Sequence, residues 1–290
     1  MPISLSDLAH AWNEFFFAPT GAFPIAQFRI AFGCILLYEA AFIARNFEAY
    51  MGPDGMVRYS SFVHTSAGRA LSLFLYLPAT MRSARIIFAV HVVALICMTV
   101  GLLSPLATLV SYVTVRSMVN RNPMIFNGGD NVAKIMCFLL IFADPGGALS
   151  LDRVLFGNGS DPPTINDPWA LRLMQIQVSL IYLWTAYWKL GGRTYRNGTA
   201  VYYAVSNIAY RRLRVPERLL RRTPVQAMTW GAIGFEWTVG PALWIQELRS
   251  FAVLTAIGFH LMLDLLLNLH LFGWYMIACL LLFVDLSTVF

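Results

Sequence analysis

Three ionisable side chains inside apolar segments are the first candidates for chemistry in this sequence. Lys189, Glu236 and His260 each lie in a different apolar run. Ionisable groups at membrane depth are costly and usually face a cavity lined by protein. An amine, a carboxylate and an imidazole are also the groups that accept and return protons in general acid–base catalysis. These residues therefore predict a buried proton-transfer site.

Lys189 is distinctive because lysine is rare in this chain: Lys134 and Lys189 are the two lysines among 21 basic residues. A buried amine can lose its charge, whereas a guanidinium group cannot in practice. Gln175, Tyr182 and Lys189 recur every seventh residue, so they lie on one face of a helix that could line a cavity. The alternative is a helix-end lysine that extends to the lipid headgroups.

The second candidate group lies around His260. Asp264 follows His260 by four residues, so it can orient the imidazole and raise its basicity, and His260 would then relay protons. A purely structural pair between helices explains the same spacing. Glu236 needs a basic partner, which could be Lys189, His260 or a loop arginine. The histidine spacing does not match a zinc motif, so no metal site is predicted.

The loop 121–131 also carries candidate residues. Its two glycines allow a tight turn, and Asp130 or Asn131 can cap the following helix. Asn127 and Asp130 are candidate cofactor-binding residues. The loop has no phosphate-binding motif, and a simple capped turn is an equally plain interpretation.

The composition decides the class of protein that must position these residues. Apolar residues make up 58% of the 290 residues, and charged residues make up 12%. Average soluble proteins are about 45–50% apolar and about 25% charged, so a soluble core could not bury this much apolar surface. This excludes a soluble enzyme, a disordered protein and a nucleic-acid-binding domain. A polytopic helical membrane protein remains.

We predict an all-α bundle of about eight transmembrane helices, which forms a single domain over 1–290. The apolar segments are 25–44, 84–103, 106–120, 132–143, 171–190, 225–245, 251–268 and 272–286. Residues 1–24 are predicted to form an interfacial amphipathic helix capped by Ser4. The stretches 45–83 and 191–224 are predicted to be longer polar loops.

The distribution of arginine predicts the orientation. Loops on one side, including the Arg-rich 191–224 loop, carry most of the arginines, whereas the opposite side carries Arg153, Arg172 and Arg249. Positively charged loops stay in the cytoplasm, so both termini are expected outside the inner (plasma) membrane. The cluster 211–222 either serves this orientation or also binds anionic lipid headgroups.

Several motifs in this order resemble the horizontally transferred transmembrane (HTTM) domain family. They are RNPMIFNGGD at 121–130, FADP at 142–145, QIQ at 175–177, IYL at 181–183, WKL at 188–190, NGTAVYY at 197–203, Glu236, and GFH at 258–260. This domain is shared with the vitamin K-dependent gamma-glutamyl carboxylase. That enzyme oxidises a reduced naphthoquinone with O2 and uses the resulting base to carboxylate glutamate with CO2.

The resemblance implies that Lys189 matches the family lysine that deprotonates the hydroquinone. It also implies a reduced naphthoquinone as cofactor, with O2 and CO2 as co-substrates. Two departures matter: no histidine follows Asn127, and the paired lysines of the animal enzyme become Trp188 and Lys189. The chain also ends at Phe290 without a large lumenal region, so we do not expect carboxylation of a propeptide-bearing protein.

Our main hypothesis is an intramembrane site that binds a lipophilic quinone-like molecule or a lipid. Lys189 is its base, His260 with Asp264 is a relay, and Glu236 positions the ligand. Its cofactor-binding residues are Gln175, Tyr182, Asn127, Asp130 and Trp188. One alternative is a non-enzymatic maturation or immunity partner that binds a peptide or protein of a toxin system. A small-molecule transporter is a further alternative, which the lack of an inverted repeat disfavours.

Overall fold

The computed structural model describes residues 4–66, 71–157 and 163–285. Its α-helices are α1 (Leu5–Phe17), α2 (Phe23–Arg45), α3 (Phe47–Met51), α4 (Tyr59–Ser66), α5 (Met81–Val100), α6 (Ser104–Arg121), α7 (Gly128–Leu140), α8 (Leu151–Phe156), α9 (Trp169–Gly191), α10 (Arg193–Arg196), α11 (Ala200–Ser206), α12 (Arg222–Ala242), α13 (Gln246–Leu266) and α14 (Phe272–Leu280). Short 3-10 helices occur at Leu73–Leu75, Glu217–Leu220 and Leu281–Phe283. Strand β1 (Thr20–Gly21) pairs antiparallel with β2 (Thr164–Ile165). The predicted all-α class is confirmed.

Each of the eight predicted apolar segments coincides with a helix. These helices are α2, α5, α6, α7, α9, α12, α13 and α14. Within the described ranges, α2, α5 and α13 are long and apolar enough to cross a membrane. The count of eight crossings stays a prediction. Parts of three predicted segments, at 1–3, 67–70 and 286, lie outside the described residues.

The predicted polar stretches contain short helices. The stretch 45–83 holds α3, α4 and one 3-10 helix, and 191–224 holds α10, α11 and another. The amphipathic helix predicted within 1–24 is α1. The side chain of Ser4 accepts a hydrogen bond from the amide of Asp7, and the Asp7 carboxylate accepts one from the amide of Ser4. This reciprocal cap confirms that Ser4 begins α1.

Helix α5 has the surface expected of a helix that crosses a lipid bilayer. Apolar side chains cover its outward face as well as its packed face. The exposed ones are Ile86, Val90, Val93, Ile96 and Val100, and the buried ones are Ala84, Ile87, Ala94, Leu95 and Met98. A helix that is apolar all round is typical of a membrane span.

The chain divides into two compact units, residues 1–174 with 285–290, and residues 175–284. The prediction of one domain over 1–290 is not tested by this division. In the first unit, α5 packs against α2 and α6. Arg29 of α2 is fully buried there, and its guanidinium donates to the main-chain oxygens of Pro145 and Leu149, at 2.5 Å each.

The second unit holds most of α9 together with α10–α14. Helix α9 is joined to the end of α12 by side-chain hydrogen bonds. The Ser179 hydroxyl donates to the main-chain oxygen of Gly240 (3.1 Å) and accepts from the Trp244 indole (2.9 Å). Helix α13 packs on α14, where a Cβ on Gly273 would lie 3.3 Å from the main-chain oxygen of His260. Lys189, Glu236 and His260 lie on these packed helices, on α9, α12 and α13 respectively.

Candidate functional site

The first feature of the site is an ion pair between α9 and α12. The Lys189 Nζ atom lies 2.5 Å from Oε1 of Glu236, and their side chains are 18% and 7% exposed. Lys189 therefore turns inward to a carboxylate and does not extend to the headgroups. The sequence named Lys189 as one of three possible partners for Glu236, and the structure selects it.

Glu236 keeps one oxygen unused. Its Oε2 atom is buried and has no hydrogen-bond partner within the described residues. An unpaired buried carboxylate oxygen costs free energy, since water would otherwise solvate it. Such an atom can accept a hydrogen bond from a ligand without breaking an existing contact.

His260 and Tyr182 form the second pair of the site. The Tyr182 hydroxyl and Nε2 of His260 are 2.8 Å apart, and both residues are almost fully buried. Nδ1 of His260 is buried and lacks a partner in the part of the chain that the structure describes. The hydrogen atom between the two residues can sit on either, depending on the histidine tautomer.

The two pairs belong to one group of interacting side chains. The charge of Lys189 acts on His260, and that of Glu236 acts on Tyr182. The Tyr195 ring lies over the Lys189 ammonium at 5.9 Å from its centroid. We call Lys189, Glu236, Tyr182 and His260 the polar cluster. Nothing in the sequence signalled Tyr195, because it follows a loop whose pattern is only basic and glycine-rich.

The predicted pairing of Asp264 with His260 is wrong. Oδ2 of Asp264 instead accepts a hydrogen bond from the Arg212 guanidinium at 3.1 Å. The spacing of four residues puts both side chains on one helix face, but the imidazole points to Tyr182 on another helix. The sequence did not indicate Arg212 as the partner of Asp264, because the arginines of this loop were interpreted only as orientation signals or as ligands for lipid headgroups.

Two other predicted ligand-binding residues of the second unit have separate surroundings. The Gln175 side-chain amide donates to the main-chain oxygen of Leu282 at 2.7 Å. Trp188 is 63% exposed and packs edge-on against Trp184 and Tyr187. Gln175 thus joins α9 to the 3-10 helix that follows α14. Trp188, the neighbour of Lys189 in the sequence, is largely exposed.

Asn127 and Asp130 belong to the first unit. Asn127 is the N-cap of α7: its side chain accepts from the amide of Gly129 (2.7 Å), and its own amide donates to Asp130 (2.5 Å). The N-cap is thus Asn127 and not Asp130 or Asn131 as expected, while Asp130 takes part as the second member of a capping box. Glu39 of α2 also hydrogen-bonds to Asp130. Their role as part of a ligand site stays a prediction.

The HTTM domain model matches residues 17–287 of the chain. The chain belongs to the HTTM domain family. This confirms the resemblance seen in the motifs, and the match includes every residue of the polar cluster. No curated protein and no solved structure matches the chain.

HTTM domains are membrane-associated, and the family includes carboxylase-related members. Together with the three apolar helices, membership makes this chain a membrane protein. The described residues of this HTTM chain contain no group of three or more histidine, cysteine, aspartate or glutamate side chains that could hold a metal ion. The amine, carboxylate, phenol and imidazole of the polar cluster are groups that can transfer protons to and from a ligand.

Proposed function

We propose that this HTTM protein is a membrane enzyme that takes a proton from a lipophilic naphthoquinol at the polar cluster. The observation that carries the proposal is the buried Lys189–Glu236 pair with an unused Oε2 atom. A phenolic hydroxyl is a hydrogen-bond donor, and this oxygen is an acceptor without a partner among the described residues. A proton can therefore pass directly from ligand to protein.

The chemistry of the polar cluster fits such a molecule. Nδ1 of His260 offers a second buried atom that can bond to a hydroxyl. Aromatic rings of Phe259 and Phe272 contact His260, with centroids 5.6 and 6.0 Å from its ring. A hydroquinone combines two hydroxyls with a flat apolar ring system, which such surroundings favour. When bound, it would supply the reducing equivalents that O2 consumes in the carboxylase that the chain resembles.

Within this proposal, Glu236 is the first proton acceptor and Lys189 is its charge partner, which reverses the roles that the sequence suggested for these two residues. As an ion pair, Lys189 is an ammonium group without a lone pair and Glu236 is a carboxylate, so Oε2 is the free acceptor of the pair. A proton from the hydroquinone therefore arrives at Oε2, while the pair changes from net neutral to net positive. This positive pair then stabilises the ligand anion that has just formed.

His260 and Tyr182 have a different task in this proposal. Their hydrogen bond fixes the orientation of the imidazole and leaves Nδ1 for the ligand. Nδ1 can hold the second hydroxyl of the hydroquinone, and the Tyr182–His260 bond can return a proton after reaction. Asp264 has no part in this step, because it is paired with Arg212.

The proposed membrane arrangement follows the eight apolar helices. We propose that all eight cross the inner membrane, that both termini lie outside, and that the 191–224 loop is cytoplasmic. The excess of arginine in that loop supports this orientation. Labelling of single introduced cysteines at positions 4 and 214 with a membrane-impermeant reagent tests it: position 4 should react in intact cells, and position 214 only after lysis.

The function is tested with the protein in lipid nanodiscs that are supplied with menadiol and O2. We would measure O2 uptake above the rate of spontaneous oxidation, and the naphthoquinone products by mass spectrometry. Glu236→Gln should lower the rate at least about 100-fold, since general acid–base groups contribute about 10²–10⁴-fold. Lys189→Arg keeps a positive partner, so it should lower the rate by about tenfold or less. The control Glu247→Gln makes the same chemical change at an exposed position of α13.

Two results would overturn different parts of the proposal. If Lys189→Arg abolishes the rate while Glu236→Gln retains it, the lysine is the base and Glu236 only positions it. If the wild-type protein neither binds nor oxidises a naphthoquinol, the enzymatic function is wrong and a partner protein of a peptide system becomes the better hypothesis.

A further inference from the structure

A second surface of the molecule carries an unbalanced positive charge. The segment 207–222 contains six arginines and one acidic residue, which are Arg211, Arg212, Arg214, Arg218, Arg221, Arg222 and Glu217. Arg212 is occupied by Asp264, whereas Arg214, Arg218, Arg221 and Arg222 are exposed. None of these four has an ion-pair partner within the described ranges. We call these four residues the arginine surface.

Backbone contacts fix the position of this segment. The Arg212 amide donates to the main-chain oxygen of Leu266 at 3.0 Å, and the Asn268 amide donates to that of Tyr210 at 2.5 Å. Leu266 is the last residue of α13, one of the helices long and apolar enough to cross a membrane. The end of a spanning helix lies at headgroup depth. The segment is therefore held where the bilayer meets water.

The start of α12 gives a second indication that an anion belongs at this surface. Helix α12 begins at Arg222 and has Arg221 as its N-cap, without a side-chain capping bond. Free N–H groups and the helix dipole make a helix N-terminus positive, so it favours acidic residues and disfavours arginine. Two arginines at this end raise the local positive potential further. An external anion would neutralise both the guanidinium groups and the helix end.

Exposed apolar side chains alternate with the arginines along this segment. Ile208 is 82% exposed, and Tyr210 and Leu213 are about half exposed. Exposed apolar groups next to arginines are typical of a surface that rests on lipid. The apolar groups then enter the acyl boundary, and the guanidinium groups stay with the phosphates. This mixture favours a lipid over a soluble anion, which would leave the three apolar side chains in water.

We propose that the arginine surface binds the phosphate groups of anionic phospholipids, with Ile208, Tyr210 and Leu213 inserted beside them. Guanidinium groups bind phosphate in two-point contacts, which lysine cannot reproduce. The bound lipid would fix the 207–222 segment, and through its contacts with Leu266 and Asn268 it would fix the end of α13. The inference does not depend on the proposed enzymatic function.

The experiment uses the full-length protein in detergent, titrated with phosphatidylglycerol or with phosphatidylcholine, and counts retained lipids by native mass spectrometry. One variant changes Arg214, Arg218, Arg221 and Arg222 to Gln. A matched control changes four exposed arginines of the first unit to Gln, namely Arg45, Arg58, Arg82 and Arg85. A third variant changes the arginine surface to Lys. A parallel titration with inorganic phosphate separates a lipid site from a phosphate site.

We expect the wild-type protein to retain phosphatidylglycerol at least about tenfold more tightly than the Gln variant, since each basic residue near an anionic surface contributes about 1 kcal/mol. The Lys variant should lie between them, and the first-unit control should match the wild type. Equal retention by the wild type and the Gln variant would overturn the proposal. An equal loss of lipid by the first-unit control would also overturn it, because lipid retention would then depend on the total positive charge of the protein and not on the arginine surface. Displacement of the lipid by millimolar phosphate would show a phosphate site and contradict a lipid surface.

Discussion

The buried polar groups of the two units are satisfied in different ways. In the first unit, Arg29 and Arg121 are fully buried and donate to main-chain oxygens, and His91 bonds to the Thr114 hydroxyl at 2.9 Å. A guanidinium group keeps its proton in practice, so the two arginines hold fixed charges.

In the second unit, titratable side chains bond to one another. Lys189 pairs with Glu236, and Tyr182 pairs with His260. Each pair keeps a buried atom without a partner in the described part of the chain, Oε2 of Glu236 and Nδ1 of His260. Burial of a polar residue therefore does not by itself indicate a functional site. In the described part of the second unit, the buried side-chain atoms without a partner belong to carboxylates and an imidazole, which exchange protons, whereas in the first unit they are arginine Nε atoms and serine hydroxyls.

The largest expected effect is a loss of stability in the first unit. Arg29→Met leaves the main-chain oxygens of Pro145 and Leu149 without their donors. Each unsatisfied buried carbonyl costs about 1–3 kcal/mol. The free energy of unfolding should therefore fall by about 2–6 kcal/mol, measured by thermal unfolding in detergent. Arg45→Met, at the exposed end of the same helix, is the control and should have little effect. A stable Arg29→Met protein would contradict the structural role.

The next largest effect is expected for the ion pair of Lys189 and Glu236, and it shows whether the two residues are energetically coupled. Lys189→Met leaves a buried carboxylate without its cation, which typically costs about 3–5 kcal/mol. Because Lys189 is partly exposed and Glu236 can take up a proton, we expect about 2–4 kcal/mol of destabilisation. The double variant Lys189→Met with Glu236→Met should recover much of this loss, since it removes the unpaired charge. Additive losses in the double variant would show that the two residues are not coupled.

A smaller effect is expected at the second pair. Tyr182→Phe removes the hydroxyl that bonds to Nε2 of His260. The loss of one buried hydrogen bond should cost about 1 kcal/mol of stability. The variant should also lower naphthoquinol turnover more than that cost explains, because the imidazole loses its fixed orientation. Tyr187→Phe, an exposed neighbour on α9, is the control for the ring change. Unaltered turnover of folded Tyr182→Phe protein would contradict the proposed role of His260 in the reaction.

The smallest expected effect is a pH dependence of stability, which involves Asp152 in the first unit. Burial raises the pKa of Asp152, but hydrogen bonds from the Ser104 and Leu103 amides and the charge of Arg29 outweigh it, so the pKa lies below its ordinary value. A lowered pKa in the folded state contributes stability above the unfolded pKa and loses it as the pH falls through the folded pKa.

Asp152→Asn should therefore be slightly less stable than the wild type at neutral pH, and the difference should shrink below about pH 4. Unfolding midpoints measured across this range check the prediction. A difference that stays constant with pH would mean that the charge of Asp152 contributes nothing.

The eight helices and the buried ionisable side chains of the polar cluster could be predicted from the sequence because both depend on local patterns. Apolar runs between Pro and Gly breakers define helices such as α5 and α12, and a charge inside such a run is visible without a structure. Glu236 was expected to need a basic partner, since an unpaired carboxylate is costly there.

The choice of partners could not be predicted in the same way. Glu236 and Lys189 are 47 residues apart, and their contact depends on how α9 and α12 pack. For His260, the local spacing favoured Asp264, but the rotation of α13 directs the imidazole to Tyr182. Pairing between helices follows from packing, which a single sequence records only weakly.

The most direct test of the central claim is infrared difference spectroscopy of the protein in nanodiscs when a reduced naphthoquinone is added under anaerobic conditions. If Glu236 accepts the proton, a carboxylate band should decrease and a carboxylic acid band should appear, and both changes should be absent in Glu236→Gln. The oxidised quinone, which has no phenolic proton, should give no such change. Binding of the reduced naphthoquinone without any new carboxylic acid band would contradict the claim.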